Sequence, residues 1–188
     1  EVLSPIINWE DRNSCILFGD GAGAAVVEQV PSDSRRRILY SHLCSDGNLW
    51  DLLYVPAGGS NMEVTPERYA KKLHKLTMKG KEIFKVAVKT MADFALITLK
   101  KNQMTTDDLD WFIPHQANLR IIEAVAKRLK FPMEKVLVNV DRYGNTSAAT
   151  IPTMLDEANR DGRIKRGQTV LLDAFGAGLT YGSILVRW

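Results

Sequence analysis

The clearest pattern of apolar and polar positions lies in the second half of the chain, where strand-like and helix-like segments alternate. Short apolar runs predict strands at residues 111–113, 135–140, 169–174 and 182–188. Residues 118–130 and 148–160 repeat apolar positions at helical spacing and predict amphipathic helices. Strands that alternate with helices are typical of a layered α/β domain.

The middle of the chain is predicted to contain a long, mostly buried helix. Over residues 81–101, apolar side chains cover most of the helix surface and leave a narrow charged stripe. Pro66 suits the first turn of a shorter helix at residues 66–76. A strand is predicted at residues 38–43, and turn residues indicate an irregular surface from 44 to 61.

The first part of the chain carries two short apolar runs, at residues 15–18 and 24–27, on either side of a glycine-rich segment. We predict two strands joined or bent by a glycine turn. The end of the chain repeats this layout, because residues 175–178 (FGAG) separate two predicted strands. We therefore expect residues 1–43 to end one structural repeat and residues 44–188 to form a second copy.

The composition narrows the class of protein only slightly. The 188 residues are 45% apolar and 25% charged, with a net charge of +3 and a pI near 8.9. This mild positive charge fits an acidic protein or a phosphorylated ligand as well as it fits nucleic acid. No apolar run approaches the ~18 residues that cross a membrane. Two cysteines cannot form a disulfide framework, which favours a reducing compartment. Because Glu1 reads as the middle of a longer sequence, we expect cleavage or truncation before it.

Two uncharged hydrogen-bond donors, His115 and Asn145, occupy matching places in this pattern. Each follows a predicted strand and precedes a predicted helix, and ligands of open α/β sheets bind beyond the carboxyl ends of strands. The positive end of the helix dipole disfavours a charged imidazole, so we expect a neutral His115 that donates one N–H. Adjacent parallel strands would bring both loops to one sheet edge, where two neutral donors can stabilise an oxyanion or enolate. The plainer alternatives, a packing histidine and an ordinary Gly-Asn turn, stay open.

Three other kinds of ligand site can be weighed from the sequence: a backbone N–H donor, a dinucleotide loop and a metal site. The loop at residues 175–178 can bring a backbone N–H close to a ligand, or can be a tight hairpin. The glycines at positions 19, 21 and 23 have the wrong spacing for a dinucleotide loop, and a strand-like run follows them. His115 has no His, Cys or carboxylate at ligand spacing, so we expect no metal site.

Together the motifs resemble β-ketoacyl-acyl carrier protein synthase III, a family of condensing enzymes that start type II fatty acid synthesis. The resemblance is carried by the segments 18–25 (FGDGAGAA), 114–120 (PHQANLR), 144–149 (GNTSAA) and 185–188 (LVRW). It implies a thiolase-like layered α/β fold, with residues 44–188 as the C-terminal βαβαβαββ half and residues 1–43 as the last strands of the N-terminal half. It also implies a cytoplasmic homodimer without nucleic acid or membrane partners.

The resemblance implies a Cys–His–Asn triad in which His115 and Asn145 match the family positions. The family nucleophile lies further upstream than this chain extends, and we assign Cys15, in a predicted strand, and Cys44 as structural. The absent Cys would take a short acyl group from acyl-CoA. Malonyl-acyl carrier protein would then decarboxylate to an enolate held by both donors and condense with the acyl group. Thioesters of CoA and the carrier protein are the substrates, and no cofactor is expected.

Further roles are implied by matching positions. The backbone N–H of Ala177 matches the oxyanion hole for the acyl thioester. Positions that match the CoA or pantetheine tunnel are Gly80, Lys81, Phe84, Ala117 and Asn118. Positions that match the docking surface for the carrier protein are Arg120, Lys85 and Lys127. The plainer alternative for the last group is a solvated helix face on which Glu123 pairs with Lys127.

Three functional hypotheses follow. In the first, the chain is part of a condensing enzyme, is inactive by itself and folds poorly without its missing half. In the second, it belongs to another thiolase-fold enzyme that makes secondary metabolites from acyl-CoA. In the third, it is a non-catalytic half of a split enzyme whose partner chain holds the Cys.

Overall fold

A computed structural model describes all 188 residues and contains one mixed four-stranded sheet, with helices on both faces. A two-stranded ribbon lies outside this sheet. The strands are β1 Arg37–Ser45, β2 Leu53–Tyr54, β3 Thr77–Met78, β4 Trp111–Pro114, β5 Thr169–Gly176 and β6 Thr180–Arg187. The helices are α1 Arg12–Cys15, α2 Pro66–Ala70, α3 Gly80–Lys101, α4 Leu119–Leu129, α5 Val140–Tyr143 and α6 Thr150–Arg160.

The strand order of the main sheet is β1-β6-β5-β4. Strands β4 and β5 run parallel, whereas β6 is antiparallel to β5 and to β1. The carboxyl ends of β4 and β5 therefore meet at one edge of the sheet, where His115 follows β4. Strand β1 crosses the expected boundary between residues 43 and 44, and the division of the chain into two halves stays a prediction.

Two apolar clusters hold the layers together. The larger lies between one face of the sheet and helices α3 and α4, and it includes the fully buried Phe112, Leu171 and Leu185. The smaller lies under α6 on the other face, around Ile113 and Met154. Burial of each such side chain stabilises the fold by about 1.5–3 kcal/mol. Although α3 is long, neither it nor any other helix meets the length and hydropathy of a membrane span.

The long helix α3 and the two strands of the final hairpin, β5 and β6, confirm that part of the prediction. Three other predicted strands are wrong. Residues 15–18 lie at the end of a helix and in the turn after it, with a single bridge from Phe18 to Asn145. Residues 24–27 pair with no strand, and Val26 is 96% exposed. Cys15 instead ends the short helix α1. Residues 135–140 form one parallel bridge to β4, from Val136 to Phe112, and then turn into α5.

The helix predicted at residues 66–76 is also too long. Helix α2 begins as expected with Thr65 as N-cap and Pro66 in its first turn, but it ends at Ala70. Lys72 then adopts a left-handed backbone conformation with φ of 57°, which a helix cannot continue through. After this turn the chain enters β3, which pairs with β2. Strand β2 lies within residues 44–61, which were predicted to be irregular.

Candidate active site

His115 is fixed at the junction between β4 and α4. Its backbone N–H donates to the Asp173 carbonyl of the neighbouring strand β5, at 2.7 Å. Three residues later Asn118 caps α4, because its Oδ1 accepts the N–H of Ile121 at 3.0 Å. His115 is therefore held between a strand end and a helix start.

Gln116 joins this loop to the segment that leads to Asn145. Its side chain is fully buried, and its Nε2 donates to the carbonyls of Pro114 and Leu137, at 2.8 and 3.2 Å. Its Oε1 accepts the backbone N–H of Asn139 at 3.0 Å. This amide side chain and the backbone bond from the Leu137 N–H to the Phe112 carbonyl, at 2.9 Å, join the two segments side by side.

Asn145 is held through its backbone by the glycine-rich N-terminal segment. Its N–H donates to the Leu17 carbonyl at 2.8 Å, and its carbonyl accepts the Gly19 N–H at 2.9 Å. Gly144 precedes it with φ of 67°, and a Cβ at that position would lie 2.9 Å from the Leu17 oxygen. The glycine is therefore needed for the close passage of these two segments.

A single chain of hydrogen bonds connects His115 to Asn145. The imidazole Nδ1 lies 2.7 Å from Oγ1 of Thr150, which in turn lies 2.9 Å from the Ser147 carbonyl. The Ser147 N–H donates to Oδ1 of Asn145 at 2.9 Å. Ser147 itself has a left-handed backbone with φ of 53°. This bond identifies Oδ1 as the acceptor, and the Nδ2 of Asn145 makes no hydrogen bond within the chain, so its N–H groups remain available to a ligand.

The electrostatics of the site are those of uncharged groups. Burial lowers the pKa of His115 to about 4, so the imidazole is neutral near pH 7. Desolvation, rather than the helix dipole, is the cause. Burial also raises the pKa of the Asp173 carboxyl well above its usual range, and neither of its oxygens has a hydrogen-bond partner. The site can therefore donate hydrogen bonds without placing a fixed charge beside them.

Five of the residues singled out from the sequence line one cavity of about 860 Å³, which is the size of a small-molecule site. They are His115, Asn145, Ala177, Ala117 and Asn118. The backbone N–H of Ala177 makes no hydrogen bond within the chain, so it is free to donate to a ligand. Most of the remaining wall is apolar, and the cavity therefore favours a ligand with few polar groups.

Three other residues singled out from the sequence lie outside this cavity. Gly80, Lys81 and Phe84 are in the first turns of α3, are exposed, and do not line its wall. Cys44, expected to be structural, is instead exposed at the cavity rim. Its place on β1 opposite Tyr181 gives it no packing role in the core.

The three basic residues Arg120, Lys85 and Lys127 are exposed on α3 and α4 and form no ion pair. The expected pair between Glu123 and Lys127 does not form. Instead, Asp93 bridges the two helices by accepting from Arg128 at 3.1 Å, alongside a bond from Lys89. Arg120 lies in the first turn of α4 and Lys127 in its last turn, so the unpaired cations are spread along the helix.

Sequence reasoning missed Thr150, Ser147 and Leu17, which orient the two donors. Leu17 and Ser147 act through backbone atoms, and these leave no mark on the choice of side chain. Thr150 had a usable signal: a hydroxyl three residues after Ser147 at a helix start commonly bonds back to that residue's carbonyl.

The comparisons with known proteins identify the family of the chain. The family model described as 3-oxoacyl-[acyl-carrier-protein (ACP)] synthase III C terminal matches residues 99–188, and the model described as 3-oxoacyl-[acyl-carrier-protein (ACP)] synthase III matches residues 1–47. The chain belongs to the β-ketoacyl-acyl carrier protein synthase III family. A curated family member from Caldanaerobacter subterraneus subsp. tengcongensis is 53% identical over all 188 residues.

Solved structures of the family show the same fold. The 3-oxoacyl-[acyl-carrier-protein] synthase III of Aquifex aeolicus is 42% identical with a TM-score of 0.85. The corresponding protein of Pseudomonas aeruginosa is 38% identical with a TM-score of 0.88. Each comparison covers 99% of this chain and 55% of the solved one. The fold is thus thiolase-like, as predicted, and the chain spans 56% of the length of the curated relative.

Proposed function

We propose that the chain supplies the His and the Asn of a Cys–His–Asn triad in a decarboxylative condensing enzyme. The overall reaction would join a short acyl-CoA to malonyl-acyl carrier protein and release carbon dioxide. The nucleophilic Cys would come from residues outside this chain. The observation that supports the proposal best is the shared hydrogen-bond chain from His115 through Thr150 and Ser147 to Asn145, beside one cavity.

The chemistry follows from the charge state of these groups. Loss of carbon dioxide from a malonyl thioester leaves an enolate, whose negative charge is absent from the substrate carbonyl. The Asn145 amide and a neutral His115 imidazole can each donate to that oxygen, and they bind most strongly when the charge appears. A charged imidazole would also stabilise the starting carboxylate and so would favour the ground state.

The second half-reaction needs a donor for a different oxygen. When the carbanion attacks the acyl thioester on the Cys, the thioester carbonyl becomes an oxyanion. The N–H of Ala177, just after β5, would donate to that oxyanion; its lack of a hydrogen-bond partner within the chain and its place in the cavity wall support this role. The exposed cations Arg120, Lys85 and Lys127 would attract an acidic carrier protein and guide its pantetheine arm toward Ala117 and Asn118.

The test is to restore a complete condensing enzyme around the chain. The 188-residue chain would be fused to the preceding segment of the Caldanaerobacter relative and supplied with acetyl-CoA and malonyl-acyl carrier protein. We expect formation of β-ketoacyl-acyl carrier protein, and a loss of about 100- to 1000-fold in rate on Asn145→Ala. The exposed helix residue Asn159, changed to Ala, is the matched control.

Three outcomes of this test would contradict the proposal. Product formation by the unfused chain would show that the Cys of another segment is not required. Preference for malonyl-CoA over malonyl-acyl carrier protein as extender would instead indicate a condensing enzyme of secondary metabolism. An inactive fusion that folds normally and still binds malonyl-CoA would favour the non-catalytic half of a split enzyme.

A further inference from the structure

The Thr150 hydroxyl lies between Nδ1 of His115 and the carbonyl oxygen of Ser147, and it can donate its proton to only one of them. Its Oγ1 is 2.7 Å from Nδ1 of His115 and 2.9 Å from the carbonyl oxygen of Ser147. A hydroxyl has one proton to donate and lone pairs with which to accept. Thr150 is 2% exposed, so water from outside the protein does not replace either contact.

The direction of this hydroxyl decides what His115 presents to the cavity. If the hydroxyl donates to Ser147, then Nδ1 must carry the ring proton and Nε2 presents a lone pair. If the hydroxyl donates to Nδ1, then Nε2 carries the proton and presents an N–H donor. Nε2 makes no hydrogen bond within the chain, so the contact at Nδ1 is the one that sets the tautomer.

We propose that Thr150 is a positioning residue that selects the tautomer of His115 and holds the ligand-free ring in the Nδ1–H form. In that form the groups make two side-chain hydrogen bonds, from Nδ1 to Oγ1 and from Oγ1 to the Ser147 carbonyl. The other arrangement makes only one of them. A buried network prefers the arrangement that leaves the fewest donors and acceptors unpaired.

The switch to the other arrangement leaves no backbone group without a partner. The Ser147 carbonyl also accepts the backbone N–H of Thr150, and it keeps that donor when the hydroxyl turns away. One proton then leaves Nδ1 and one proton is added at Nε2, so the net charge of the ring does not change. The importance for catalysis rests on the proposed function, because only an enolate or carbonyl ligand would require Nε2–H.

The tautomer can be measured directly in the 188-residue chain. Long-range ¹H–¹⁵N spectra of histidine-labelled protein at pH 7 distinguish a protonated ring nitrogen from an unprotonated one. His115 is assigned by its loss in His115→Gln. We expect a protonated Nδ1 and an unprotonated Nε2 in the unchanged chain. Thr150→Val keeps the side-chain shape and removes the hydroxyl, and we expect the two nitrogens to exchange roles.

Two matched variants separate the hydroxyl from general effects on the helix. Thr150→Ser restores a hydroxyl and should restore the Nδ1–H form. Thr153→Val removes a neighbouring hydroxyl on α6 that bonds only to backbone carbonyls, including Ala149 at 2.7 Å, and should leave the ring unchanged. Dispersed amide spectra establish that each variant is folded.

Either of two results would overturn the inference: an unchanged chain with Nε2 protonated, or a Thr150→Val variant with the same tautomer as the unchanged chain. The first can be read even if Thr150→Val does not fold. The spectra need no activity. If the fused enzyme fails to condense while the spectra behave as expected, only the proposed function is rejected. If the fused enzyme condenses while the spectra do not behave as expected, only the role of Thr150 is rejected.

Discussion

The unpaired carboxyl of Asp173 should make the stability of this chain fall as the pH rises. The residue is 1% exposed on β5, and neither oxygen has a partner. Its cross-strand neighbour Ser183 donates its hydroxyl to Thr98 instead, at 2.9 Å. Burial raises the pKa of the Asp173 carboxyl in the folded chain, whereas in the unfolded chain it is about 3.9. Over the pH range between these two values, the folded chain keeps the carboxyl proton and the unfolded chain has lost it.

The size of the effect follows from proton linkage. Between the unfolded and the folded pKa, the folded state binds one more proton than the unfolded state. The free energy of unfolding therefore decreases by about 1.4 kcal/mol for each pH unit in that window. An Asn at position 173 cannot ionise, so the free energy of unfolding of Asp173→Asn should lack this pH dependence. The difference in free energy of unfolding between the variant and the unchanged chain should therefore grow by the same amount for each pH unit.

Urea unfolding at a series of pH values from 4 upward, followed by circular dichroism, measures this difference. Asp161→Asn is a suitable control, because hydrogen bonds from Arg163 lower the pKa of that exposed carboxyl, so it is ionised in both states above pH 4 and its removal should add no slope in this range. Parallel stability curves for Asp173→Asn and the unchanged chain would refute the reasoning, since they would mean that Asp173 ionises equally in both states.

Three further predictions concern the site and its surroundings. In the fused enzyme, His115→Ala should lower the decarboxylation rate by about 100- to 1000-fold, whereas His74→Ala should not; equal losses, measured as carbon dioxide release, would argue for a structural effect. Asn118→Ala removes the cap of α4 and should lower the free energy of unfolding by about 1 kcal/mol in urea titrations; no change would mean that the cap adds nothing. Arg120→Glu should slow carrier-protein association by roughly 10-fold at low salt and less at high salt, in stopped-flow measurements. The exposed Arg166, changed to Glu, is its control, and an equal effect would remove the case for docking on α4.

The sequence predicted the elements that depend on local pattern. The long helix α3 and the hairpin of β5 and β6 follow from apolar periodicity and glycine turns, and both are present. The predicted strands at 15–18, 24–27 and 135–140 failed differently: the first lies in and after α1, the second has no partner, and the third makes one bridge to β4 before α5. Apolar runs show that a segment can be a strand, but a strand also needs a neighbour with free backbone groups, and periodicity does not report that neighbour.

The site was predictable in its residue types and less so in its support. His115 and Asn145 could be singled out because each lies between a predicted strand and a predicted helix. Their approach, however, depends on Gln116, which crosses from one loop to the other with three hydrogen bonds, and on Leu17 and Gly19, which act through the backbone. Contacts of this kind span distant parts of the chain and carry no local signature.

Ser147 shows how mutagenesis can pass over the residue on which an arrangement depends. Its N–H is committed to Asn145 and its carbonyl to Thr150, while its own hydroxyl takes no part in either bond. A scan that truncates side chains would record position 147 as tolerant and assign the effect to its two neighbours. Replacing the peptide linkage itself, for example by an ester at residue 147, would be needed to reveal its contribution.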